Sequence, residues 1–214
     1  MRDFPADKSI SPQEAFTIVQ SRFQGFEQIQ SSVGTLIRSK KTELSSTFFG
    51  LCRLLHRLLF HEILHNAGSF RQTTEPNRGY VGFGKSDVRK PSGAQFDGTP
   101  ADQIEEKLKT VFNLLAWEDT DPIRTSAIFY QRFVRIHPFY DANGRIGRAL
   151  VTIYLRLHGY YFLWRKLETT SKHDFIKKLN DCHKRENSHT LREYEDILVH
   201  FWEKFVVRVS EIEG

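Results

Sequence analysis

His137-Pro138-Phe139-Tyr140-Asp141-Ala142-Asn143-Gly144-Arg145-Ile146-Gly147-Arg148 sets an imidazole, a carboxylate, an amide, two guanidiniums and two glycines within twelve residues. Helical patterns flank it. Ile128, Phe129, Phe133, Val134 and Ile136 recur at helical spacing before it, and Ile146, Leu150, Ile153, Tyr154 and Leu157 after it. Pro138 biases the preceding residue away from helical geometry, so the first helix is predicted to stop at His137. Asp141-Ala142-Asn143-Gly144 is turn chemistry and leads into a second helix near Gly144. The stretch reads as a bend between two helices.

A loop that opens a helix presents backbone N–H groups at the positive end of the dipole, a ready site for phosphate. Asn143 can add side-chain donors, and Gly144 permits a close approach. Arg145 and Arg148 lie three apart, as neighbours on the first helical turns. Cations there oppose the dipole, a cost that is easier to understand if both face an anion. Asp141 beside that anion would repel it unless a divalent cation sat between them, and Mg²⁺ held by one carboxylate plus substrate phosphates is a common arrangement. Histidine titrates near neutrality, which makes His137 the candidate general base. A merely capped turn needs one or two such residues, not five.

At these residues the chain resembles the Fic family, whose signature is His-x-Phe-x-Asp/Glu-Gly-Asn-Gly-Arg-x-x-Arg. Ala142 stands where most members have Gly. The Doc branch also has Ala there, but it carries Lys at the position of Gly144 and lacks the Arg of position 148. The resemblance implies a mainly α fold, a Fic-type helical bundle with a small β-hairpin flap. It implies a helical extension over 1–43 and a Fic domain over 44–214, with the flap at about 70–98 and the motif loop at 137–148. The implied activity is protein adenylyl transfer, moving AMP from ATP to a Ser, Thr or Tyr hydroxyl of a target protein. ATP phosphates would rest on the backbone of residues 142 to 147, Ala142, Gly144 and Gly147 among them, and on Asn143, Arg145 and Arg148. Asp141 would hold Mg²⁺, and His137 would take the hydroxyl proton. Doc-like phosphotransfer, or transfer of another phosphate-containing group on the same scaffold, is the alternative.

Many members of the family carry an inhibitory helix, Ser/Thr-x-x-x-Glu-Gly/Asn, whose Glu pairs with the last motif Arg. Glu213-Gly214 is the first candidate here, with Val209 at the Ser/Thr position, so Glu213 is expected to pair with Arg148. A separate antitoxin chain is the other expected source of inhibition, and a homo-oligomer is left open.

Upstream, Ser11-Pro12-Gln13-Glu14 is a capping box with Pro at the first helical position. It predicts a helix from 12 to the region of Ser31, with Phe16, Val19, Phe23 and Phe26 inward and Gly34 as its stop. Residues 44–67 form a second helical pattern, closed by Gly68. Within it, His61-Glu62-Ile63-Leu64-His65 matches the pattern in which two His one turn apart bind Zn²⁺ and Glu acts as base, and a zinc hydrolase is a third reading. A catalytic zinc also needs a third protein ligand, and nothing downstream stands at a fitting spacing. The wider run from Leu55 to Arg71 also resembles the Fic-family helix ahead of the flap, in which His61 and His65 are ordinary packing residues.

From Phe70 to Gly98 helical periodicity vanishes. Gly79-Tyr80-Val81-Gly82-Phe83-Gly84-Lys85-Ser86 ends like a phosphate loop but lacks its first-glycine spacing, and reads as an aromatic hairpin. In the family this flap holds a target segment by strand addition, which places the contact near Asp87, Val88 and Arg89. Thr99-Pro100-Ala101-Asp102 is expected to cap a helix reaching Ala116. Asp121-Pro122 opens the helix into the His137 loop, and Gly159 ends the one that follows. Helices near 172–184 and after Thr190 complete a mainly α chain.

A length of 214 residues, 39% of them hydrophobic, supports one substantial core. The net charge of +5 suits a nucleotide triphosphate or an acidic partner and does not argue for nucleic acid. Two cysteines, Cys52 and Cys182, make no disulfide framework, which points to a reducing, cytoplasmic compartment. The start lacks the apolar run of a signal peptide, and no stretch reaches membrane-spanning length.

Overall fold

The computed structural model describes residues 10–39, 43–75, 77–84 and 94–211. These residues form α1 (Pro12–Ser39), α2 (Leu44–Phe60), α3 (Ile104–Phe112), α4 (Pro122–Ile136), α5 (Asn143–Leu157), α6 (Trp164–Thr170), α7 (Lys172–Lys184) and α8 (Leu191–Glu203). Two antiparallel pairs accompany them: β1 (Gly82–Phe83) with β2 (Phe96–Asp97), and β3 (Tyr160–Phe162) with β4 (Val206–Arg208). The fold is mainly α with a small hairpin flap, as expected. Asp87, Val88, Arg89 and Glu213 lie outside the described residues.

The capping box of α1 forms as read. The Glu14 N–H donates to Ser11 Oγ (3.2 Å) and the Ser11 N–H to Glu14 Oε2 (2.9 Å). The helix does not stop near Ser31 but continues through Gly34 to Ser39. A helical glycine costs only about 1 kcal/mol, and Val33 and Ile37, one turn apart, carry the apolar stripe onward into the core. Ala15 and Val19 are fully inward, whereas Phe16 stands 49% exposed rather than buried.

α2 is shorter than its pattern. It ends at Phe60, and His61 to Gly68 is a series of turns. The reason is tertiary. The Arg22 guanidinium, reaching over from α1, donates to the terminal carbonyls of Leu58 (3.4 Å) and Leu59 (3.3 Å). The Phe60 carbonyl takes both the Ile63 and Leu64 N–H groups. Gly68 (φ +84°) lays the chain back against α2, where a Cβ would stand 2.8 Å from Arg57 Cβ. His61, Glu62 and His65 therefore do not share a helix face. Glu62 is paired with Arg22 instead. No group of three or more His, Cys, Asp or Glu side chains able to hold a metal occurs among the described residues. The zinc reading loses its geometric basis.

Asp121 caps α4, its carboxylate accepting the Arg124 N–H at 3.0 Å with Pro122 at the first helical position. α3 begins after a 3-10 turn at Ala101–Gln103, without a side-chain cap from Thr99, and stops at Phe112 rather than Ala116. Ser171 and Thr190 likewise stand at the starts of α7 and α8 without making side-chain cap bonds. α4 and α5 pack side by side at the centre. Gly147 is what allows their approach, since a Cβ there would meet the Tyr130 and Phe133 rings at 3.1 to 3.2 Å. Trp202 of α8 is fully buried among Tyr130, Phe162, Trp164 and Phe175. No helix among the described residues is long and apolar enough to cross a membrane.

Candidate active site

The bend between α4 and α5 contains two non-glycine residues in the left-handed region. His137 has φ 55°, ψ 58° and Ala142 has φ 63°, ψ 5°. Each such residue costs about 1–2 kcal/mol, so the surroundings must over-determine the loop. At its first end, the His137 N–H donates to Phe133 O (3.2 Å) and the His137 carbonyl accepts Arg71 Nε (2.8 Å). At its second end, the Ala142 N–H donates to Asp141 Oδ1 (2.5 Å). Ala142 occupies a conformation that glycine takes without penalty.

Asn143 closes the loop from within. Its Oδ1 accepts the Phe139 N–H (2.9 Å) and its Nδ2 donates to the Phe139 carbonyl (2.8 Å). Both residues are buried, Asn143 to 3% exposure and Phe139 to none. The amide expected to offer donors to a phosphate is thus engaged in shaping the loop. Beneath it, the Phe139 ring stacks on His56 at 3.8 Å and 10°. His56 Nδ1 accepts the Gly68 N–H at 2.8 Å. Burial pushes His56 down to about 4, against a raising effect of the Asp141 backbone, so the ring is neutral at physiological pH.

The His137 imidazole is half-buried at the lip of the bend. Its Nδ1 lies 3.4 Å from the Val134 carbonyl. A proton on Nδ1 toward that carbonyl makes Nε2 the basic nitrogen. Phe83 of the flap stacks on the imidazole at 4.5 Å and 11°. Arg135, at the end of α4, donates to the Asp97 carbonyl (2.6 Å) and pairs with Glu186 (2.9 Å), fixing the flap's other strand.

At the start of α5, the Asn143 and Gly144 amides occupy the turn in which a helix has no acceptor of its own. No acid lies in that turn to neutralise them. A Cβ at Gly144 would make only an ordinary 3.6 Å contact with the Tyr130 hydroxyl. The packing does not require glycine there, unlike at Gly147, whose role is to pack α5 on α4. Arg145 Nη2 sits 3.8 Å from Asp141 Oδ1, and its guanidinium lies over Phe60 at 5.0 Å. Burial lowers the Arg145 pKa, Asp141 opposes this, and Arg148 adds to it. Arg148 lies over Trp164 at 5.3 Å and is ion-paired with Glu168 of α6. Burial alone would lower the Arg148 pKa, but Tyr130 and Glu168 outweigh it and hold it raised. Both arginines line a cleft of about 390 Å³ between α1, α5 and α6, with Gln20, Trp164 and Arg165 on its other walls.

The structure thus brings His137, Asp141, Ala142, Asn143, Gly144, Arg145 and Arg148 to one bend. It gives Gly147 to helix packing and Asn143 to the loop's interior. Sequence reasoning missed Glu168, whose link to Arg148 spans twenty residues, and the site-shaping roles of His56 and Arg71. Burial lowers Arg71 to about 10, only partly offset by Glu75, so it remains a cation at neutral pH. Asp141 is a single half-buried carboxylate beside a helix N-terminus. That donor set cannot make a closed metal cage, but it fits a Mg²⁺ that completes its shell with phosphate oxygens and water.

The site is a bend in a helical bundle, with a histidine in left-handed backbone beneath Phe83 of the flap, a loop clamped by Asn143 and the N-terminus of α5 beside it. Residues 50–155 match the model of the Fic/DOC family, and the chain belongs to that family. It is 39% identical over 79 residues to the "Probable protein adenylyltransferase aq_aa38" of Aquifex aeolicus, a match covering 36% of this chain and 24% of that protein. It is 30% identical over 82 residues to protein adenylyltransferase fic-1 of Caenorhabditis elegans, covering 37% of this chain and 16% of that one. The matched segment therefore spans a quarter or less of these relatives. The N-terminal Fic domain of a VirB-translocated Bep effector protein from Bartonella quintana, solved with bound ADP, shares the fold. Its TM-score is 0.56 at 16% identity, over 95% of this chain and 90% of that one.

Proposed function

We propose that this protein transfers AMP from ATP to a hydroxyl side chain of a target protein. The observation that carries the reading is the convergence of a half-buried imidazole and the acceptor-poor start of α5 on one bend, whose interior Asn143 locks. The adenylyltransferase names of the relatives from Aquifex aeolicus and Caenorhabditis elegans, and the ADP held by the Bartonella quintana domain, support it.

In this reading the phosphates of ATP lie on the backbone amides of Asn143 and Gly144, with the Arg145 and Arg148 guanidiniums alongside. Asp141 would hold Mg²⁺, which supplies charge neutralisation to the phosphates. His137 Nε2 accepts the proton of the target Ser, Thr or Tyr hydroxyl. The hydroxyl oxygen forms a bond to the α-phosphorus, and the bond from that phosphorus to the pyrophosphate oxygen breaks. Catalysis rests on positioning and on charge stabilisation at a helix N-terminus. Glu168 engages Nη1 of Arg148, so the full guanidinium turns to phosphate only when Glu168 gives way. The neighbouring cleft carries Arg145, Arg148 and Arg165 against one carboxylate, Glu168, and this positive balance among aromatic walls suits an anionic ligand.

The test is label transfer with ATP labelled at the α- or the γ-phosphate. Protein-bound label from the α-position alone supports adenylyl transfer. Label from the γ-position alone replaces it with Doc-like phosphotransfer.

A further inference from the structure

Arg71 is 2% exposed, and the recorded hydrogen-bond partners of its guanidinium are all backbone carbonyls. Nε donates to His137 O (2.8 Å) and Nη1 to Gly79 O. Nη2 donates to Thr99 O (2.6 Å) and Ile136 O (3.2 Å). The Arg71 backbone N–H adds a bond to Pro138 O (3.0 Å). A buried cation is costly unless fully hydrogen-bonded. Here a planar fork with five N–H donors meets carbonyls from several directions, which an ammonium on a flexible stem cannot reproduce.

The carbonyls come from three places. Gly79 belongs to the stem entering β1, Thr99 to the stem leaving β2, and Ile136 and His137 to the C-terminus of α4. The backbone is shaped around the guanidinium. A Cβ on Gly98 would lie 3.0 Å from Arg71 Nη2 and 2.7 Å from Val81 Cγ2. A Cβ on Gly79, already at φ +70°, would lie 2.8 Å from Gln72 O. Thr99 N–H also donates directly to Ile136 O at 3.1 Å, so the leaving stem is tied to the same helix end. Between these stems the flap carries Phe83 onto the His137 ring.

We infer that Arg71 is a positioning residue, a single buried joint that sets both the left-handed turn of His137 and the height of the flap above its imidazole. It touches no reacting atom. The cation also sits at the negative end of α4's dipole, satisfying carbonyls the helix leaves unpaired. The inference rests on the reading of His137 as the base, but its structural half can be measured separately.

The experiment compares the full chain with Arg71→Lys and Arg71→Gln. Three quantities are read: Mg²⁺-ATP binding by calorimetry, the initial rate of label transfer from α-labelled ATP to the chain itself and to lysate proteins, and amide hydrogen exchange. Both variants are expected to lose at least roughly tenfold in rate at saturating ATP, with the ATP dissociation constant within about twofold, because the α5 N-terminus is held by Asn143 instead. Exchange should quicken together at residues 79–84 and 134–142 and stay unchanged in α8. Arg71→Gln, without charge, serves if the lysine variant does not fold. A rate within twofold of the parent overturns the inference. So does a loss of ATP binding parallel to the loss of rate, or faster exchange in the flap without the His137 segment. If the parent transfers no AMP at all, the transferase reading falls, and joint exchange of the two segments alone decides whether Arg71 couples them.

Discussion

Replacing Asn143 by alanine separates two roles that the same side chain could play. In the structure its amide makes both hydrogen bonds to Phe139, a residue with no exposure to water. Removing the amide leaves a buried N–H and a buried C=O without partners, at about 1–3 kcal/mol each, so roughly 2–6 kcal/mol in all. At about 2–4 °C per kcal/mol for a chain of this size, that is a fall in melting temperature of about 4–24 °C. The loop also carries two strained residues that depend on the clamp, so nucleotide binding should weaken along with stability. The assay is thermal or urea unfolding of Asn143→Ala beside a calorimetric Mg²⁺-ATP titration. If the variant melts within 1–2 °C of the parent while ATP affinity collapses, Asn143 is a phosphate ligand and the clamp argument is wrong.

The Arg148–Glu168 pair is partly exposed, with side chains 29% and 43% accessible, so Glu168→Gln should change stability by no more than about 1 kcal/mol. By releasing the guanidinium it should tighten Mg²⁺-ATP binding roughly three- to tenfold in a calorimetric titration. Gly147→Ala pushes a methyl group into the Tyr130 and Phe133 rings and should cost about 1–3 kcal/mol in urea unfolding. Stability should also fall with acid. His56 and His183 are buried as neutral rings, pushed down to about 4 and about 3 mainly by burial. Their folded pKa values lie below the unfolded value near 6.5, so the unfolded chain binds more protons and stability declines as pH drops from about 6.5 toward 4. His56 alone accounts for about 3 kcal/mol of that loss, and replacing it with an uncharged residue should flatten the pH profile of the melting temperature over this window.

Much of this site was legible because its logic is local. Pro138 announced the end of α4 at His137, Asp121-Pro122 its beginning, and the Asp141 to Gly144 turn the start of α5. The aromatic hairpin between Phe70 and Gly98 was legible for the same reason, as a stretch of turn residues without helical period. What was not legible depends on partners far away in the chain. The end of α2 is set by Arg22 from α1 and by Gly68 docking on His56, so a helical pattern running to Ala67 overshot by a turn and more. Gly34 was read as a stop, but Val33 and Ile37 had burial to gain on its far side. Gly147 reads in sequence as part of the backbone that carries phosphate, and only the neighbouring helix reveals that it makes room for Tyr130. Arg71 carries no sign of its role in sequence, since its acceptors are carbonyls, which every residue has. Asn143 is the subtler case. Its place in the loop was evident, but whether its amide turns outward to a ligand or inward to Phe139 is a question of a few ångströms.

The central claim is that the imidazole at the lip of this bend moves the proton in an adenylyl transfer. It is tested most directly by incubating the chain and its His137→Ala variant with Mg²⁺ and α-labelled ATP in a cell lysate, and measuring protein-bound label and intact mass. The account predicts label and a mass gain of one AMP per modified site with the parent, and neither with the variant, whose ATP binding stays intact. Equal labelling by the two proteins would contradict it.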